Sequence, residues 1–363
     1  MIFCEECFYD TEIRARISAA GKRGSCPICG ANNGFIYDTE EEDYLRGIFD
    51  RIISIYTPKN ALPDEFPISK HTLIKHELLT NWRIFNDLNS EQVYDIITTL
   101  SSELYDNSPE LFDDPVANIQ IRDPIYLREN SILRDNTWKA FVESLKHDNR
   151  FHTDYTNTEK LETYCSYIRK VYKQGSVFYR GRVSSIDGYR CDEMGAPPLG
   201  LTLDGRANSA GIRRLYLANN VETTIHEVRA GAVDYITVGK FELIKDTITI
   251  VDFKMIDKIS PFIEELDPLQ YFVNREPLNR INDEMGKTLR RSDSPLDYLP
   301  TQYVTDFIKS IQYEGTQEYA GIEYKSTMNP GGYNLAVFDP ELFECTQTQV
   351  YKIDKLVYEK SLV

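Results

Sequence analysis

Residues 214–229 read RLYLANNVETTIHEVR. The first five residues of this stretch are typical of a short strand, and residues 221–229 have the pattern of a helix. A strand that runs almost directly into a helix predicts that this part of the chain combines a sheet with helices.

Arginines and glycines cluster just before this stretch. Arg180 and Arg182 lie in the segment FYRGR at 178–182, and Arg206 lies in the segment GRANSAG at 205–211. Glycines let backbone approach a ligand closely, and arginines on loops and strand ends commonly bind phosphate. The residues alone therefore favour a pocket for a phosphorylated ligand. The alternative, ion pairs on the surface of an acidic protein, stays open.

The order of these motifs resembles the RES domain, a family of NAD-degrading toxins named for an Arg, a Glu and a Ser. The likeness runs from about Ser176 to the C-terminus, and Ser326 supplies the late serine in YKSTMNPGG at 324–332. It implies a mixed sheet flanked by helices, related to ADP-ribosyltransferases. The catalytic residues that it implies are Arg180, Arg206, Tyr216, Glu227 and Ser326.

The resemblance also implies roles for residues beside these five. Tyr179 and Asn208 belong to the same motifs and are expected to bind NAD. Arg182 is either a further phosphate ligand or a surface ion-pair partner. Glu222 is the rival carboxylate, but five residues separate it from Glu227, which places the two nearly on opposite sides of a helix.

The activity implied by the resemblance is cleavage of the bond between nicotinamide and ribose in NAD. The enzyme would be a glycohydrolase or a phosphorylase that depletes NAD as a toxin or antiphage effector. Two alternatives remain: transfer of ADP-ribose to a macromolecule, and a non-catalytic module that senses a nucleotide. An antitoxin, a sensor protein or a second copy of the chain are the partners expected.

Four cysteines near the N-terminus have the spacing of a metal site. Cys4 and Cys7 form one CxxC pair, Cys26 and Cys29 form another, and 18 residues separate the two. Four thiolates complete a tetrahedron around Zn²⁺ and leave no open position for catalysis. We therefore predict a zinc ribbon over residues 1–34, with a structural or protein-contact role favoured over nucleic-acid binding.

Helical periodicity follows the ribbon. Helices are predicted over residues 44–56, from Asn89–Ser90 through Leu104, over 138–147 and over 158–172. This module, residues 35–157, resembles the HEPN-type domain found ahead of some RES domains, but no histidine has the spacing of the HEPN ribonuclease motif. Residues 158–363 form the predicted RES domain, so the chain is expected to be α+β.

Composition narrows the setting. The formal charge is −16 and the pI is about 4.9, which disfavours broad binding to nucleic acid or to anionic membranes. The N-terminus lacks the features of a signal peptide, and no apolar run is long enough to span a bilayer. A cytoplasmic location is expected.

Overall fold

The computed structural model describes residues 1–287 and 294–356. The chain forms two compact units. The first comprises Met1–Asp135 with Lys258–Arg275, and the second comprises Asn136–Asp257 with Glu276–Val363. No helix within the described ranges combines the length and the apolar character needed to cross a membrane.

The first unit begins with a small sheet and continues with short helices. Its strands and helices are β1 (Ile2–Cys4), α1 (Thr11–Ala20), β2 (Arg23–Gly24), β3 (Gly34–Asp38), α2 (Asp50–Ile53), β4 (Thr57–Pro58), α3 (Ile74–Thr80), α4 (Ser90–Leu100), α5 (Ser102–Asn107), α6 (Glu110–Asp113), β5 (Val116–Ala117) and α7 (Pro124–Asn130). β3 lies between β1 and β2 in an antiparallel sheet. Phe3 stacks on Tyr37 across the β1–β3 pair, with ring centroids 5.1 Å apart, so an aromatic core supports the cysteine-bearing turns.

The helix predicted from Asn89–Ser90 is confirmed together with its capping box. The Asn89 side chain accepts from the backbone N–H of Gln92, and the Gln92 side chain accepts from the N–H of Asn89. Val93 and Leu100 lie on the buried face of α4. The helix ends at Leu100, and α5 continues the chain through Leu104.

The helix predicted over residues 44–56 is wrong in extent, because only Asp50–Ile53 is α-helical. Gly47 adopts φ +71°, a left-handed conformation that interrupts a right-handed helix. Its N–H donates to the carbonyl of Leu100 at 2.6 Å instead of to a carbonyl one turn earlier. Leu45 and Phe49 are still fully buried, so the apolar spacing correctly predicted the buried side chains.

The second unit is built on a large sheet. Its elements are α8 (Trp138–His147), α9 (Thr158–Tyr167), β6 (Arg169–Lys173), β7 (Val177–Ser184), β8 (Leu215–Ala218), α10 (Val221–Val228), β9 (Tyr235–Leu243), β10 (Thr247–Asp252), α11 (Pro268–Gly286), α12 (Leu299–Ser310), β11 (Gln312–Tyr313), β12 (Thr316–Gln317), β13 (Gly321–Lys325), β14 (Tyr333–Val337) and β15 (Phe343–Lys352). Helix α11 is divided between the units, and its residues from Glu276 onward belong to the second. Eight strands pair in the order β15-β9-β7-β8-β14-β13-β10-β6. β10 and β13 pair in parallel, and the other pairs are antiparallel.

The predicted helix over residues 158–172 is also wrong in extent. α9 ends at Tyr167, and β6 then pairs antiparallel with β10, with Lys170 opposite Ile250. Exposure alternates along β6 with period two, as in a strand at the border of a sheet. Pairing with β10 supplies the backbone partners that a continued helix would have supplied, so tertiary context decides the conformation.

Alternation along the central strands divides the sheet into two faces. Leu215, Leu217 and Leu335 join the apolar core on one face. Tyr216 and Asn334 occupy the intervening positions of β8 and β14 and face the other way. This second face carries the candidate site.

A charged cluster is buried on the core side of the sheet. The Glu323 side chain is 0% exposed and accepts from Lys170 Nζ at 2.8 Å, and it also pairs with Lys254 and with the Tyr172 hydroxyl. Lys254 Nζ also contacts both oxygens of Asp252 at 2.8 Å. Burial alone would lower the pKa of Lys170, but the hydrogen bond and charge of Glu323 outweigh it, and the pKa ends above its usual value. Lys170 therefore stays charged at neutral pH, and the cluster ties β6, β10 and β13 together.

Removing the central carboxylate of this cluster should destabilise the chain. Glu323→Gln leaves two ammonium groups with only Asp252 as a charged partner, and partial exposure of both lysines screens the loss. We expect the free energy of unfolding, measured in urea, to be about 2–3 kcal/mol lower than that of the wild type. Glu341→Gln, at an exposed position, is the matched control and should change stability by less than about 0.5 kcal/mol. Equal effects of the two substitutions would contradict a structural role for the cluster.

Candidate functional site

The polar face of the large sheet opens into a cleft of about 460 Å³, within the size range of small-molecule sites. Strand ends, the residue 205–206 loop and helix α10 supply its walls. The polar, charged and aromatic residues that line it are Tyr179, Arg180, Arg206, Tyr216, Thr224, Glu227, Arg229, Tyr298, Tyr324, Lys325, Thr327 and Asn334. Four of the five predicted catalytic residues therefore lie in one cleft.

Helix α10 carries Glu227 into the cleft. The helix begins after Asn220, whose side chain accepts from the N–H of Thr223 at 2.7 Å. It packs closely on β7 because Gly181 has no side chain. A Cβ at Gly181 would lie 2.7 Å from Val228 Cγ2 and 2.8 Å from Thr224 Cγ2. The glycine that follows Arg180 thus sets the distance between the helix and the sheet.

Two side chains hold one oxygen of the Glu227 carboxylate. Ser326 Oγ donates to Glu227 Oε1 at 2.7 Å, and Asn334 Nδ2 donates to the same oxygen at 2.8 Å. Both donors are largely buried, at 9% and 7% exposure. Hydrogen bonds to a carboxylate are charge-assisted, so this pair fixes the orientation of the acid more firmly than neutral contacts would.

The serine is itself held by the loop that follows β13. Its hydroxyl accepts from the N–H groups of Met328 and Asn329, each at 3.2 Å, and its N–H donates to the carbonyl of Gly332 at 2.9 Å. With two donors directed at its oxygen, the hydroxyl proton is left for Glu227. Ser326 is therefore joined to Glu227 by a direct hydrogen bond, a contact that the sequence did not predict.

Arg180 is half-buried in the lining of the cleft. One terminal nitrogen, Nη1, donates to the carbonyl of Tyr216 at 3.2 Å, while Nε is buried with no hydrogen-bond partner among the described residues. Burial, aided by the nearby charge of Arg182, lowers the pKa of Arg180 to about 10. The guanidinium is still protonated at neutral pH, and a partly buried cation in the wall of a cleft favours an anionic ligand.

Arg206 reaches the cleft from a loop, and its side chain also caps the C-terminal end of a helix. Its two terminal nitrogens donate to the carbonyls of Met285 and Lys287, at the C-terminal end of α11. The guanidinium carbon lies 5.8 Å from the ring centroid of Tyr324. A cation at a helix C-terminus is favourable, so the fold fixes this arginine before any ligand arrives.

Tyr216 connects the strand to the Arg206 loop. Its hydroxyl donates to Asn208 Oδ1 at 2.7 Å and accepts from the N–H of Ala207 at 3.0 Å. Burial raises the pKa of Tyr216 to about 12, so the hydroxyl keeps its proton at physiological pH. Gln302 on α12 supports the same loop by donating to the carbonyls of Gly205 and Asn208 at 2.9 Å.

The three predicted NAD-binding residues have different positions. Tyr179 lines the cleft beside Arg180, whereas Asn208 is 3% exposed and is used within the loop. The Arg182 guanidinium lies over the ring of Tyr189 at 4.4 Å, and its Nη1 donates to the carbonyl of Glu193. Neither Asn208 nor Arg182 is part of the cleft lining formed by the described residues.

The rival carboxylate lies elsewhere. Glu222 is paired with His226 through a contact of 3.1 Å on the exposed side of α10. Of the two glutamates, only Glu227 is among the residues that line the cleft in the described part of the chain. The catalytic role of Glu227 stays a prediction.

Sequence reasoning did not single out Asn334, Tyr298 or Tyr324. Tyr324 is 5% exposed, burial raises its pKa, and its ring forms part of the wall beside Arg206. Asn334 stands between Tyr333 and Leu335 in an otherwise apolar strand. A polar side chain at an alternating position of such a strand was the signal for a site residue on the opposite face.

The four N-terminal cysteines lie together as predicted. Their Sγ atoms all fall within 4.8 Å of one another, with Cys4 and Cys29 at 3.4 Å and Cys7 and Cys26 at 3.6 Å. A tetrahedron with Zn–S bonds of about 2.3 Å has sulfurs roughly 3.8 Å apart, so this donor set fits one Zn²⁺ ion. The cluster can hold a metal ion, and it lies in the first unit.

A known family model matches the C-terminal part of the chain. The family model of the RES domain matches residues 187–355. The matched segment contains Arg206, Tyr216, Glu227 and Ser326, and it supports the RES family for the C-terminal part of the chain. Arg180 precedes the matched segment, although it lines the same cleft. No curated protein and no solved structure matches the chain.

Metal binding by the cysteine cluster can be tested by measuring zinc content. Purified protein should contain about one zinc per chain, because four thiolates satisfy one tetrahedral ion. Cys26→Ser should reduce the zinc content measured by atomic emission and lower the unfolding temperature. Cys191→Ser, a half-exposed cysteine outside the cluster, should retain the metal. Equal zinc in the two variants would contradict the site.

Removal of the Tyr216 hydroxyl tests whether this group holds the loop that carries Arg206. Tyr216→Phe removes the acceptor of the Ala207 N–H and the donor to Asn208 Oδ1, which should cost about 1–3 kcal/mol. Hydrogen exchange measured by mass spectrometry should accelerate in residues 203–211. Tyr179→Phe, which removes a hydroxyl from the cleft wall, should leave that exchange unchanged; faster exchange in both variants would point to general loosening.

Proposed function

We propose that the second unit cleaves the bond between nicotinamide and ribose in NAD. The observation that carries the proposal is the oriented carboxylate of Glu227, which shares one cleft with the guanidinium groups of Arg180 and Arg206. The RES match over residues 187–355 adds independent support.

The charges of the cleft suit NAD. Arg180 lines the cleft, and its positive charge matches the anionic pyrophosphate. Tyr179 and Tyr324 offer aromatic surface for the nicotinamide riboside. The carboxylate of Glu227 would then lie near the ribose. Ser326 acts in this scheme by orienting Glu227.

The chemistry needs a carboxylate more than a strong acid. When the C1′–N bond breaks, the bonding electron pair goes to the cationic nicotinamide, which leaves as a neutral molecule. Positive charge builds up on the ribose, and a fixed carboxylate stabilises it. Water or inorganic phosphate then bonds to C1′. Water gives ADP-ribose and a released proton, and phosphate gives ADP-ribose 1″-phosphate.

The biological consequence would be loss of cellular NAD. Such an activity suits a toxin or an antiphage effector, and it requires restraint by another protein or by another part of the chain. The zinc-binding first unit is our candidate for the part that receives the activating signal or contacts a partner.

The proposal is tested with the purified full-length chain and NAD. Nicotinamide release should be measured by liquid chromatography, with and without inorganic phosphate, and the ribosyl product identified by mass spectrometry. Glu227→Gln should reduce release by at least about 100-fold, because an uncharged amide cannot stabilise the developing cation. Glu222→Gln, on the exposed side of the same helix, should keep wild-type turnover.

Each outcome has a separate meaning. Free nicotinamide together with ADP-ribose or its phosphate supports the proposal and identifies the acceptor. Transfer of labelled ADP-ribose to protein would replace it with a transferase activity. Binding of NAD without turnover, unaffected by Glu227→Gln, would leave a nucleotide-binding module and overturn the enzyme assignment.

A further inference from the structure

We infer that Asn334 is a positioning residue that selects which oxygen of Glu227 faces the substrate. The inference rests on the proposed function, since it assigns to Asn334 a role in presenting the carboxylate to the ribose of NAD. It is carried by the asymmetry of the contacts around Glu227.

Both hydrogen bonds to Glu227 end on the same atom. Ser326 Oγ and Asn334 Nδ2 donate to Oε1, and Oε2 receives no hydrogen bond from any of the residues described. A carboxylate held by one donor can pivot about that contact, whereas two donors, one on β14 and one in the loop after β13, fix its plane. Oε2 is therefore left for a ligand in the cleft, because no hydrogen bond from the described residues occupies this oxygen.

The backbone prevents Asn334 from moving away. Its neighbours across the sheet are Ala218 on β8 and Tyr324 on β13, so strands on both sides hold this position. The preceding residue is fixed as well, because the N–H of Tyr333 donates to Asn219 Oδ1 at 3.0 Å. Lys254 lies 4.3 Å from the centroid of the Tyr333 ring on the core side. A donor held in this way keeps the carboxylate oriented without reorganisation during the reaction.

An asparagine suits this position better than the alternatives. Its amide donates a hydrogen bond while remaining neutral, so it orients the carboxylate without neutralising it as an arginine or a lysine would. An acid at the same place would repel Glu227, and an apolar side chain would release it. The identity of residue 334 thus preserves the negative charge that the chemistry requires.

The test compares Asn334→Ala with Asn81→Ala in the full chain. The Asn81 amide also donates to a carboxylate, that of Glu77, at 2.7 Å, and neither residue lines the cleft, so Asn81 is the matched control. We expect Asn334→Ala to lower kcat for nicotinamide release by about 10- to 100-fold, with KM for NAD changed by less than about threefold. Asn334→Leu, which keeps the side-chain volume, should behave in the same way and serves if the alanine variant does not fold.

Crystal structures of these variants provide a readout that does not depend on activity. The Glu227 carboxylate should rotate away from its wild-type position in Asn334→Ala and Asn334→Leu, and should stay in place in Asn81→Ala. An unmoved carboxylate overturns the inference, even if NAD is not the substrate. A rise in KM with unchanged kcat would also overturn it, because Asn334 would then contact the substrate directly. Absence of NAD turnover in the wild type, with a displaced carboxylate in the variants, would sink the proposed reaction and retain the positioning role.

Discussion

The register between β13 and β14 is the constraint on which the candidate site depends. Tyr324 lies opposite Asn334, and the loop that joins the two strands returns Ser326 to the same side. Both donors can therefore meet one carboxylate oxygen on a helix that is remote in sequence. A shift of one residue would turn Asn334 into the apolar core and bring Leu335 to Glu227. The buried leucine and the polar asparagine enforce the same register from opposite faces.

Part of this arrangement could be predicted from the sequence because it rests on local patterns. The CxxC spacing identified the four cysteines that lie together, and the strand-to-helix stretch correctly located β8 and α10. Glu227 was preferred over Glu222 from its place in a motif, and the cleft contains only the former among described residues. Local spacing was sufficient where a helix or a tight turn determined the geometry.

The rest depended on contacts between distant segments. Residues 169–173 form a strand because β10 offers an open edge, and Gly47 interrupts a periodic stretch to bond with Leu100. Asn334 is separated from Glu227 by more than a hundred residues, so no spacing rule connects them. Arg182 and Asn208 lie in the expected motifs, yet the fold uses them to brace loops. A motif identifies the side chains that chemistry requires, but packing decides which of them face the ligand.

The position of β7 determines where the structural domain begins. The strand Val177–Ser184 lies between β9 and β8 in the sheet, yet it precedes the segment that matches the RES family. A fragment that began at residue 187 would lack the strand that joins the two halves of the sheet, as well as Arg180. Gene fusion or duplication could therefore transfer a working domain only if the break point lay upstream of β7. The segment that matches the family therefore begins later in the chain than the structural domain does.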